Sequence, residues 1–140
     1  MGDARVAVGG YALQKAGLTP FYPGVIQQTT KAPQYHRWNM PPVVMYYAPD
    51  IDGDSRHIAY TVSSFFSKLA IPTPERAIVD NIRHQDIFEE YFLVEALKSY
   101  MDKHGDNKEG LALLRQVADE YGQAEQLEYW LEEARNDWEV

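Results

Sequence analysis

At 140 residues, 45% hydrophobic and 13% aromatic, the chain has the size of one domain and can bury a core without disulfides or a structural metal. It has no cysteine, which excludes disulfides, thiol nucleophiles and thiolate metal sites, and its net charge of −8 disfavours nucleic-acid binding by the chain alone. No apolar run approaches the roughly 18 residues that cross a bilayer and the N-terminus carries no signal pattern, so no membrane partner and a cytoplasmic location are expected.

In chain order, residues 5–8 (RVAV) read as a short strand entering Gly9-Gly10, and residues 11–16 as a helix stopped by Gly17. Residues 25–30 (VIQQTT) and 43–47 (VVMYY) are strand-like, the second bounded by Pro41-Pro42 and Pro49. Asp50-Ile51-Asp52-Gly53-Asp54 has turn composition, and residues 57–62 (HIAYTV) are predicted to return as the antiparallel partner of 43–47. Character changes at Pro72. In Ile71-Pro72-Thr73-Pro74-Glu75-Arg76, Thr73 can cap orphan N–H groups, Pro74 suits the first helical position and Glu75 the positive end of the dipole. Ala77, Ile78 and Ile82 then face inward. Asp86 is predicted to cap a second helix to about Lys103, with Ile87, Phe88, Tyr91, Phe92, Leu97 and Tyr100 wrapping wider than one stripe, as in a central helix. Residues 107–121 form a third helix, with Leu111, Leu114, Val117, Ala118 and Tyr121 on one side. In a fourth, Ala124, Leu127, Leu131, Ala134 and Trp138 recur at spacings of 3, 4, 3 and 4, a narrow seam framed by Glu125, Glu128, Glu132 and Glu133. The fold class expected is α+β, one domain over residues 1–140: a small, mostly antiparallel sheet in 1–72, then three to four packed helices in 73–140.

Charge follows this division. Residues 1–73 carry six Lys/Arg against four Asp/Glu, and residues 74–140 seven against seventeen. An acidic half repels polyphosphates and favours a basic protein partner, although a solvated surface is the commoner reason for such a charge run.

Local chemistry is sparse. Gly9-Gly10 is not followed by the glycines of a dinucleotide fingerprint, and a nucleotidyltransferase would need an Asp-x-Asp pair within about a dozen residues. The next aspartate after Gly10 is Asp50, so a tight strand-to-helix turn is the favoured reading. Asp50, Asp52 and Asp54, with His57, are the best metal candidates by composition, but a solvated hairpin turn is favoured over them. The four histidines make no metal-site pattern and no nucleophile elbow exists. Arg76 and Asp80, at i and i+4, can pair; exposed, such a pair contributes only a few tenths of a kcal/mol, whereas a partly buried one could tie the helix to the sheet. Lys31, Tyr35, His36, Arg37 and Trp38 are ingredients for base stacking and phosphate contact, with ordinary packing the favoured reading.

The order of these signals resembles the AbiEi family of type IV antitoxins. Three places carry the resemblance: Gly9-Gly10-Tyr11-Ala12-Leu13 through Gly17-Leu18-Thr19; the entrance Ile71 to Asp80, similar to the family's Ser/Thr-Pro-Glu-Arg/Lys-Ala...Asp segment; and the paired closing helices, residues 111–122 and 124–138. The resemblance implies neutralisation of a cognate nucleotidyltransferase-like toxin beside transcriptional autoregulation. It supplies no catalytic residues and no cofactor, and the matched positions Gly9, Gly10, Thr73, Pro74, Glu75, Arg76 and Asp80 read as architectural. Family members typically carry an N-terminal winged helix-turn-helix, and the stretch before Arg5 has no room for one. DNA contact is therefore expected only weakly or through a separate module. The expected function is a non-enzymatic regulatory domain that binds a protein partner, with the glutamates of the last helix as one docking face. The alternatives are a metal-dependent nucleotide or nucleic-acid enzyme using the Asp50 cluster, and a scaffold that homodimerises through the 124–138 seam.

Overall fold

The computed structural model describes residues 5–20, 24–30, 43–63 and 68–137. The elements are β1 (Arg5–Val6), α1 (Gly9–Lys15), β2 (Ile26–Thr30), β3 (Val43–Tyr47), β4 (Ile58–Ser63), β5 (Lys68–Pro72), α2 (Pro74–Arg83), α3 (Glu90–His104), α4 (Ala112–Glu120) and α5 (Ala124–Asp137). The fold is α+β, as the sequence predicts; among the described residues all strands lie at or before Pro72 and four helices follow it. Among the described residues, no helix is long and apolar enough to cross a membrane.

The strand pairing differs from the predicted hairpin. β3 does not pair with β4; it runs parallel to β2, from Ile26 opposite Val43 to Thr30 opposite Tyr47. β4 instead pairs antiparallel with β5, and β5 runs parallel to β1, giving the order β1-β5-β4. The single, mostly antiparallel sheet expected from the sequence is thus replaced by a mixed three-stranded sheet and a parallel two-stranded one. β5 escapes a sequence reading because Ile71-Pro72-Thr73-Pro74 looks like pure helix entrance. Pro72 is tolerated because it is the last residue of its strand, where a missing N–H costs least. Residues 7 and 8 join the two sheets: the Ala7 N–H bonds the Ala70 carbonyl and the Val8 N–H bonds the Gln27 carbonyl.

β5 is buried on both faces, and its period of two sorts its side chains. Leu69 and Ile71 face the main core, while Ala70 joins Val6, Val8, Ala48, Ile51 and Phe88 in a second, smaller cluster. The main core is filled mostly by the helices. α3 supplies Leu93, Ala96, Leu97, Tyr100 and Met101, a single stripe at helical spacing. α5 supplies Leu127, Leu131 and Ala134, whereas Ala124 is exposed and Trp138 lies outside the described residues.

Three helix expectations need correction. α3 begins at Glu90 rather than at a cap on Asp86, because Ile87 and Phe88 turn back onto the His84 carbonyl and drop the Phe88 ring into the smaller cluster. α4 begins at Ala112 rather than 107, since the Asn107 side chain accepts the Gly110 N–H and forms a turn of its own. The central helix is α2, not α3: all of residues 75–82 are buried, while Ile87 and Tyr91 are exposed. Its polar residues masked that role in the sequence, because Glu75, Arg76 and Asn81 find partners on other parts of the chain while Asp80 is buried between Arg76 and Arg83.

Candidate functional site

The glycine turn is built for packing. Gly9 has φ +65°, and a Cβ there would lie 2.8–2.9 Å from the Gln27 amide atoms. A Cβ on Gly10 would stand 3.0–3.3 Å from the Phe92 ring. The Tyr11 N–H, which a phosphate oxygen would use in a nucleotide site, donates to Gln27 Oε1 at 2.9 Å, and Gln27 Nε2 reaches the Tyr46 hydroxyl at 3.1 Å. The turn therefore ties α1 to β2 through the chain's own side chains.

The acidic turn does not gather its carboxylates. Asp50 accepts from Arg83 Nη2 at 2.9 Å and has His84 Nε2 within 3.0 Å. Asp52 pairs with Arg5 and accepts the Thr29 hydroxyl at 2.6 Å. Asp54 receives the Arg56 fork at 3.0 and 2.8 Å and the Tyr121 hydroxyl at 3.1 Å. His57, in the left-handed region at φ +55°, meets Glu120 at 2.7 Å. The three aspartates and His57 thus point to four separate sets of partners, and no three metal-ligating side chains converge among the described residues. The segment is a turn but not a solvated hairpin tip: the Asp52 and Asp54 side chains are only 8% and 13% exposed. Burial alone would raise Asp54, but the Arg56 hydrogen bonds, the Arg76 charge and the Tyr121 hydroxyl hold its carboxyl well below 3.8.

Arg76 explains why this turn is anchored. It is fully buried and donates through Nε to Asp80 at 3.1 Å, through Nη1 to the carbonyls of Asp54 (2.5 Å) and Arg56 (2.8 Å), and through Nη2 to the Ile51 carbonyl at 3.3 Å. One guanidinium fork therefore holds three carbonyls of the 51–56 backbone against α2, the tie that the buried form of the Arg76–Asp80 pair allows. Asp80 is shared with Arg83 at 3.0 Å, and burial pushes its carboxyl up against the pull of both cations. The Tyr121 ring lies 4.3 Å from the Arg56 guanidinium and 4.7 Å from that of Arg83, which fastens the end of α4 to the same cluster. Burial pushes the Tyr121 phenol up to about 12. Around the core of this network Thr73 caps α2 by accepting the Arg76 N–H at 3.3 Å, Pro74 opens the helix, and Glu75 accepts the buried Tyr100 hydroxyl at 2.7 Å. Each carboxylate in the cluster has a cation or hydroxyl donor, and a guanidinium is no base. The arrangement ties the 50–57 turn, α2 and the end of α4 together through paired charges.

Sequence reasoning missed Arg56, Arg83, His84, Glu120 and the polar role of Tyr121. Only Arg83 left a signal, lying three residues after Asp80 on the same helix face. Lys31, Tyr35, His36, Arg37 and Trp38 lie outside the described residues.

The last two helices present a different surface. Glu125, Glu128, Glu132 and Glu133 are all exposed. Glu128 is held by the Arg115 fork at 2.8 and 3.0 Å, and Glu132 touches Arg135, which is itself bound bidentately by Asp106 at 2.6 and 2.8 Å. Glu125 and Glu133 form no ion pair among the described residues. Between them stands Tyr129, 57% exposed and edge-on to Trp130, a residue that sequence reading passed over. The seam residues Leu127, Leu131 and Ala134 are wholly buried within the chain, so a dimer would have to use another surface.

No family model and no curated protein matches this chain.

Proposed function

We propose that this chain is a cytoplasmic, non-enzymatic regulatory domain of the type IV antitoxin kind, which acts by binding a protein partner to counter a nucleotidyltransferase-like toxin. Transcriptional autoregulation would require a separate DNA-binding module. One observation carries the reading: the positions that resemble the antitoxin motif are occupied in holding the fold together. Thr73 caps α2, Glu75 takes the Tyr100 hydroxyl, and Arg76 and Asp80 are locked with three backbone carbonyls, all buried or nearly so. The polar groups of the glycine turn and the charged groups of the acidic turn are likewise bound within the chain, which supports surface complementarity as the means of action.

Co-expression with nucleotidyltransferase-like toxins, read as colony formation, tests the proposal. Growth restored by the wild-type chain but not by a destabilised Arg76→Met variant is the expected outcome. Failure to restore growth with any toxin of that class, by a chain shown to be folded, would overturn it.

A further inference from the structure

We infer that the outward face of α5, with the apolar groove beside it, docks a basic amphipathic segment of a partner protein. The inference rests on the partner-binding reading above and adds to it the chemistry of the partner. Glu125, Tyr129, Glu132 and Glu133 fall at i, i+4, i+7 and i+8, so they share one helix face, roughly opposite the buried stripe of Leu127, Leu131 and Ala134. A groove of about 270 Å³ runs along one side of that face, lined by Arg115, Ala124, Glu125, Leu127 and Glu128. Its wall is mainly apolar, with the Arg115–Glu128 ion pair on its rim, and Glu125 belongs to both groove and outer face. The two features therefore form one continuous surface.

Charge complementarity selects the occupant. From Ala124 to Asp137, α5 has five acids and one base, and that base, Arg135, is already held by Asp106 and Glu132. A second copy of a chain with net charge −8 would bring like charge to like, and nucleic acid or an anionic lipid surface would be repelled in the same way. A lysine or arginine meets Glu125 and Glu133 without an internal competitor, and a guanidinium can lie on the exposed Tyr129 ring while bonding to a glutamate. The groove adds a demand for an apolar side chain next to those cations. An amphipathic basic helix satisfies both demands with one face, and a segment as long as α5 itself, about 20 Å, spans the surface.

The test uses a fluorescein-labelled helical peptide of 14 residues with leucines along one stripe and arginines flanking it, titrated with the full chain and read by fluorescence anisotropy. Saturable binding is expected, weakened about tenfold by Tyr129→Ala, by Glu125→Gln with Glu133→Gln, and by Ala124→Phe, which fills the groove from an exposed position. Glu89→Gln with Glu90→Gln, the same charge change on exposed residues at the start of α3, should leave affinity within twofold. A peptide with glutamate in place of arginine should not bind. No binding of the basic peptide, equal weakening by the Glu89/Glu90 variant, or no weakening by the three face variants overturns the inference. Circular dichroism of each variant separates loss of the face from loss of the fold. The two readings fail separately. Variants that lose the peptide yet still rescue growth sink the docking face alone. Intact peptide binding with no rescue sinks the antitoxin reading alone.

Discussion

Arg76→Met puts the anchoring of the acidic turn to its most direct test. Methionine keeps an apolar stem of similar length but removes the guanidinium that serves Asp80 and the carbonyls of Ile51, Asp54 and Arg56. Breaking one side of a buried ion pair costs about 3–5 kcal/mol, and a buried acceptor left without a donor costs ~1–3 kcal/mol. Repacked methylenes and entering water offset part of this, so a loss of about 4 kcal/mol is expected. That is a large share of the roughly 5–15 kcal/mol typical of a domain. Urea unfolding followed by tryptophan fluorescence, extrapolated linearly to water, measures it. Asp80→Asn provides the second edge of a cycle. Because both changes break the same contact, the double variant should cost less than the sum of the singles by about 1–3 kcal/mol. Should Arg76→Met cost under about 1 kcal/mol, the range of an exposed helical pair, or should the two changes simply add, the anchoring argument fails.

Gly9→Ala should lose about 2 kcal/mol in the same assay, because alanine is strained at φ +65° and its Cβ would displace the Gln27 amide from the Tyr11 N–H; Gly10→Ala, pressing only on the Phe92 ring, should lose less. Thr73→Ala removes the acceptor of the Arg76 N–H and should cost about 1 kcal/mol, with Thr73→Ser recovering most of it. Asp54 makes a pH-dependent contribution: its carboxyl is held below 3.8 when folded, so its stabilisation is complete above that value and is lost as pH falls through the folded one. Between about pH 4 and pH 2, unfolding curves of the wild type should therefore lose more stability than those of Asp54→Asn. Equal losses would show that Asp54 is not held as described.

What could be read from the sequence follows the reach of each interaction. Thr73-Pro74-Glu75 announces a helix start because the cap, the ring and the dipole all act within four residues. The Gly9-Gly10 turn is legible as a turn, but its cause, a Gln27 amide and a Phe92 ring against the backbone, comes from elements far along the chain. The Arg76–Asp80 spacing permits a pair. The three carbonyls that make this arginine indispensable lie 20 to 25 residues away. The predicted 43–47 with 57–62 hairpin fails because β4 has a nearer partner in β5, four residues beyond its end, and because β3 is taken by β2. Asp86 has the chemistry of a cap, yet burying Phe88 outweighs one capping bond.

By itself the amino-acid sequence determined the α+β class, the change from strands to helices at Pro72, the entrance to α2 and the acidic outer surface of α5, all set by periodicity, caps and composition over short spans. Tertiary structure alone decided that the aspartates of the 50–54 turn diverge to separate cations, that α2 rather than α3 is the central helix, and that Tyr129 stands exposed among glutamates. The reason is physical: a charged side chain takes the partner that folding brings within about 3 Å, and sequence spacing carries that information only when the partner is on the same helix or strand.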